Sequence, residues 1–60
     1  MNRYTIIEID NEGNKTASIF EYKTYEIACT MQEILETLYP EYGFLVYTLD
    51  EWVTECERNA

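Results

Sequence analysis

The sequence predicts a small α+β fold: a three-stranded antiparallel or mixed sheet packed on one long helix, in the order ββαβ, with a short C-terminal helix. Three observations predict it. Two β-rich stretches, residues 3–9 and 15–22, flank a cluster of turn formers. Residues 24–39 carry apolar side chains at helical spacing. A third β-rich run, residues 44–49, follows Pro40 and leads into a second amphipathic stretch. A chain of 60 residues is expected to form a single domain over 1–60.

In the first strand, RYTIIEI, alternation sets Thr5, Ile7 and Ile9 on one face and Tyr4, Ile6 and Glu8 on the other. The turn DNEGN at 10–14 contains Gly13 and Asn14, which tolerate positive φ. The second strand, KTASIFEY, sets Ala17, Ile19 and Glu21 against Thr16, Ser18, Phe20 and Tyr22, and completes an antiparallel hairpin. In the helix over 24–39, Ile27, Ala28, Met31, Ile34, Leu35 and Leu38 fall in one stripe, opposite Glu26, Cys29, Glu33 and Glu36. Thr24 fits an N-cap, and Pro40 stops the helix because it disfavours a helical residue before it.

The third strand, FLVYTL, is apolar on both faces, with Phe44 and Val46 on one and Leu45, Tyr47 and Leu49 on the other. Thr48 with Glu51 fits a capping box, with Asp50 a rival cap, for a helix over 50–57. Its apolar stripe is Leu49, Trp52, Val53 and Cys56. The expected core sets Ile27, Met31, Ile34, Leu35 and Leu38 against Ile7, Ile9 and one face of strand three. A helix crossover leads to a parallel neighbour, so strand three is expected parallel beside strand one. The other sheet face, with Tyr4, Ile6, Phe20, Tyr22 and Tyr47, is either covered by the C-terminal helix or is a binding surface.

Charge is the strongest compositional signal. Twelve acids oppose four bases, a net charge of −8. Residues 24–57 hold eight of the acids and no Lys or Arg. Such a field repels nucleic acid and anionic membrane and attracts basic surfaces, although acidity also serves solubility alone. Glu26, Glu33, Glu36, Glu41, Asp50, Glu51, Glu55 and Glu57 are therefore the expected protein-binding residues, with neither nucleic acid nor membrane as a direct partner. So small a chain buries only about 60% of its unfolded surface, so a partner or a homodimer would add stability. No apolar run approaches the roughly 20 residues of a membrane span, and no signal-peptide pattern opens the chain. The expected compartment is the cytoplasm.

The chemistry of catalysis is sparse. With no histidine, the usual acid–base residue and the Ser/His and Cys/His pairs are missing. Gly13 and Gly43 are too few for a phosphate loop. Cys29, on the polar helix face, and Cys56, on the C-terminal stripe, cannot complete a zinc site alone. A disulfide between them stays open, with free thiols the default in a reducing compartment. Asp10, Asn11, Glu12 and Asn14 only loosely follow a Ca²⁺ loop and lack its closing glutamate. The expectation is a binding protein without cofactor, metal or catalytic residues.

The hairpin, the threonine-capped acidic helix and the return through Pro40, Gly43, Phe44 and Val46 resemble a known family over residues 4–49. It is that of the very small proteins with which short-tailed lytic coliphages inhibit the host RNA polymerase. The resemblance implies a three-stranded sheet with one helix, action in the host cytoplasm, and RNA polymerase as the first target to consider. Family members carry arginines late in the third strand that matter for polymerase binding; Thr48 and Asp50 stand at those positions here. Two other expectations remain beside it. One is an anti-restriction or anti-CRISPR protein imitating the charge of DNA. The other is a subunit or antitoxin-like partner that binds through an apolar sheet face.

Overall fold

Residues 3–59 are described by a computed structural model. The elements are β1 (Tyr4–Ile9), β2 (Lys15–Ala17), α1 (Tyr25–Leu38), β3 (Gly43–Thr48) and α2 (Leu49–Arg58). They form a small α+β domain with a three-stranded antiparallel sheet, in strand order β2-β1-β3, and two helices. The central strand β1 pairs with β3 along its whole length, from Tyr4↔Thr48 to Ile9↔Gly43.

The direction of β3 corrects the expected parallel pairing with β1. A helix crossover returns the chain to the end where the preceding strand began, so it makes β3 parallel to β2. Since β2 runs antiparallel to β1, β3 must as well.

The second strand is shorter than the predicted 15–22. Register with β1 holds from Ile9↔Lys15 to Ile7↔Ala17, then resumes at a lone bridge, Tyr4↔Tyr22. Two residues of β1 therefore face four of the partner, so the chain bulges outward at 18–21. The Ser18 hydroxyl accepts from the Phe20 N–H at 3.1 Å and Thr5 Oγ1 donates to the Phe20 carbonyl at 3.5 Å. Ile19, at 90% exposure, is swung out of the alternation that the sequence suggested.

The helices take opposite faces of the sheet. Tyr25 of α1 meets Tyr4 edge-on, ring centroids 5.8 Å apart, and Met31 and Leu35 approach Ile6 and Phe44. Thus α1 covers the Tyr4, Ile6 and Glu8 face, not the Ile7 and Ile9 face expected for it. Trp52 of α2 lies 6.2 Å from Tyr47, which is paired with Thr5, so α2 covers the face of Thr5, Ile7 and Ile9. Periodicity could not distinguish these arrangements, because both faces of β1 are apolar.

The expected helix stripe is also corrected. Ala28 is fully buried and Met31 and Leu35 are half-buried, whereas Ile27, Ile34 and Leu38 are exposed. Gln32 takes an inward position because its Nε2 donates to the Phe44 carbonyl at 2.7 Å. On α2, Val53 and Cys56 are exposed and Glu55 turns inward instead. Both helix starts match their sequence signals. Thr24 accepts from the Ile27 N–H, and Thr48 and Glu51 form the reciprocal capping box. No helix of the described residues is long and apolar enough to cross a membrane.

These placements order the cost of truncation. Ile7→Ala should lower unfolding free energy by roughly 2–5 kcal/mol. Ile34→Ala, on the exposed flank, should change it by no more than about 0.5 kcal/mol. Urea titrations of both variants check this; a larger loss for Ile34→Ala would put the core on the other side of α1.

Candidate protein-binding surfaces

The eight acids singled out by the sequence do not form one surface. Glu26, Glu33 and Glu36 stand on the solvent side of α1, and Glu41 lies in the turn before β3. Asp50, Glu51 and Glu57 lie exposed on α2, across the sheet from α1. The two acidic helix faces therefore point in opposite directions. Their origin is local: each helix turns one face to the sheet, and its solvent-facing positions hold carboxylates with no base among residues 24–57.

Glu55 departs from the expected set. Its Oε1 accepts from Lys15 Nζ at 3.0 Å and from the Tyr47 hydroxyl at 3.4 Å. Its Oε2 is buried without a hydrogen-bond partner. Glu55 therefore holds α2 to the sheet rather than facing a partner. The hydrogen bond from Lys15 to Glu55, and then the charge of Glu55, raise the Lys15 ammonium above its usual 10.5, against some desolvation. A raised pKa stabilises the fold below 10.5, and that contribution is lost as pH climbs through the higher folded value. Among the described residues the other ion pair is Arg3 with Glu21 at 3.8 Å, so the seven remaining acids of the set have no basic partner.

The turn at 10–14 is a hairpin device. Asp10 Oδ1 accepts from the Glu12 and Asn14 N–H groups, both at 2.9 Å, and Oδ2 accepts from Asn14 Nδ2 at 3.3 Å. Gly13 adopts φ 85°, which a side chain would strain. The bonds to Asp10 close the loop as a hairpin turn.

A second surface includes Ile6, Phe20 and Tyr22 of the sheet face that the sequence left as either covered or binding; what the sequence did not show is that α1, not α2, borders it. An open apolar groove of about 270 Å³ runs between α1 and β2, walled by Met31 and Leu35 on one side and Phe20 and Tyr22 on the other. Ile6 and Phe44 form its floor. It exists because α1 sits over the β1–β3 seam and leaves the β2 side of that face uncovered. Its signal in the sequence was the apolar face that carries Ile6, Phe20 and Tyr22.

Comparisons with protein-family models, curated proteins and solved structures find no match to this chain.

The turn makes a pH prediction. The Asn14 N–H is the largest influence holding the Asp10 carboxyl below its ordinary 3.8, partial desolvation opposes it, and the Glu12 N–H adds to the lowering. A depressed pKa stabilises the fold above 3.8, and the contribution is lost as pH falls through the lower folded value. The Glu12 and Asn14 amide resonances should titrate together with a midpoint below 3.8. A midpoint at or above that value would mean the turn does not hold the carboxylate.

Proposed function

We propose that this chain is a non-catalytic binding protein that presents its acidic helix faces to a basic groove on a host nucleic-acid enzyme. The observation that carries this reading is the set of seven exposed carboxylates without a basic partner among the described residues, distributed on both sides of the sheet. Charges left unpaired within the fold remain free to meet an external cationic surface, and a one-signed field accelerates that encounter. The two-sided distribution suits a cleft better than a flat patch, because opposite walls of a basic cleft can engage opposite faces of one small domain. In this respect it resembles the charge pattern of a nucleic acid, which carries phosphates around its circumference.

By the resemblance of its hairpin, helix and third strand, the first target is bacterial RNA polymerase, bound by a phage-encoded inhibitor in the host cytoplasm. Thr48 and Asp50 replace the family's arginines, which favours a target surface more basic than the one those arginines would meet. A restriction or CRISPR nuclease fits the same charge pattern, because its DNA channel is basic.

The structure selects which charges to reverse. Glu51 is needed for the α2 cap and Glu55 for the link to Lys15, so neither tests binding cleanly. Glu33→Lys with Glu36→Lys tests the α1 face, and Asp50→Lys with Glu57→Lys tests the α2 face. Association with purified bacterial RNA polymerase and with a restriction endonuclease is measured against ionic strength. Each pair should slow association several-fold at about 0.01 M salt and converge on wild type near about 1 M, as screening shortens from roughly 30 to 3 Å. Wild-type rates for both pairs at low salt would remove the charge-driven reading.

A further inference from the structure

We propose that the flank of α1 facing β2 is a docking site for an amphipathic helix with basic flanks, supplied by a protein partner. Ile27, Ile34 and Leu38 are 50%, 47% and 62% exposed. With half-buried Met31 they follow the spacing i, i+4, i+7, i+11, which is the seam along which one helix receives another. At 1.5 Å per residue this ridge is about 16 Å long. It borders the groove whose wall includes Met31 and Leu35. Across that groove the bulge after β2 presents Phe20, at 62% exposure. A helix laid along the ridge can rest between α1 and the bulge and insert one large side chain above Ile6 and Phe44.

Charge selects the occupant. Glu26 and Glu33 lie on the outer side of the ridge, Glu33 sharing a shallow depression with Ile34, Thr37 and Leu38. Glu8 stands in the groove wall on the inner side. No base occurs in α1, and Lys23 ahead of its cap leaves the balance negative. An apolar helix bordered by Lys and Arg would meet carboxylates on both margins. A second copy would instead bring a net charge of −8 against −8. This site shares Glu26 and Glu33 with the acidic surface proposed above but not the α2 acids, which lie across the sheet, so reversing Asp50 and Glu57 separates the two readings.

The test uses the full chain and three synthetic peptides of about 18 residues, long enough to match the ridge. The first carries Leu and Phe at seam positions with Lys on the flanks. The second replaces Lys by Glu, and the third scrambles the first. Calorimetry gives affinity, and amide shifts of the isotope-labelled chain locate binding. The Lys-flanked peptide should bind roughly tenfold or more tightly than either control. Its largest shifts should fall at Ile27, Ile34, Leu38 and Phe20. Ile34→Glu with Leu38→Glu, both on exposed positions, should keep the wild-type circular dichroism and lose that binding. Asp50→Lys with Glu57→Lys should leave it within about threefold at 0.15 M salt, where the Debye length is about 8 Å. Equal affinity for the scrambled peptide, shifts centred on α2, or no binding would overturn the proposal. So would a wild-type dimer in sedimentation equilibrium that Ile34→Glu with Leu38→Glu converts to monomer, since the ridge would then receive a second copy.

Discussion

The back-to-back burial of Ile6 and Ile7 in β1 is the constraint on which every other part of the structure depends. They are 1% and 0% exposed, and neighbouring strand residues point to opposite faces. The sheet must therefore be covered on both sides. A chain of this length has one helix for each face, and each is used as a lid. The cover is thin: Ala28 is the single fully buried residue of α1, and α2 has none among the described positions. Thin lids leave most of each helix in solvent, and that is where the carboxylates and the excess apolar ridge reside. The binding character of the molecule follows from its way of closing a small core.

The sheet edges narrow how a partner can approach. Leu49 N–H donates to the Arg3 carbonyl at 3.0 Å, so alternation along β3 turns the backbone groups of Phe44, Val46 and Thr48 to the free edge. Gln32 donates to the Phe44 carbonyl, and the Thr48 N–H donates to Glu51 at 2.8 Å. Both helices thus occupy groups that an added strand would need. On the opposite edge β2 is three residues long, contains Lys15 and ends in a bulge. Short, charged and bulged edges resist strand addition. Helix faces and flanks remain as the available surfaces.

The elements were legible in the sequence where a local signal specified them. Thr24 and Thr48 with Glu51 marked helix starts, Asp10 and Gly13 marked the turn, and alternation found β1 and β3. What failed was long-range or degenerate. Ile6 and Ile7 are equally apolar, so pattern could not assign a helix to either face. Ile19 and Phe20 have strand-forming side chains, yet they lie in the bulge. Gln32 is not one of the six stripe positions, yet it lies inward with a hydrogen bond to the Phe44 carbonyl, while Ile34 and Leu38 stand exposed. The acids were legible as a charge excess; their division between two sides, and the withdrawal of Glu55 to Lys15, required the fold.

Both binding readings rest on α1 and α2 lying on opposite faces of β1. Nuclear Overhauser contacts in the isotope-labelled chain measure this placement most directly. The expected result is contact from the Ile6 methyls to Met31 and Leu35, and from the Tyr47 ring to Trp52 and Thr5, with none from the Ile7 methyls to α1. Contacts joining the Ile7 methyls to Leu35 or Met31 would contradict it, because α1 would then cover the face of Thr5, Ile7 and Ile9 and the groove above Ile6 and Phe44 would not form.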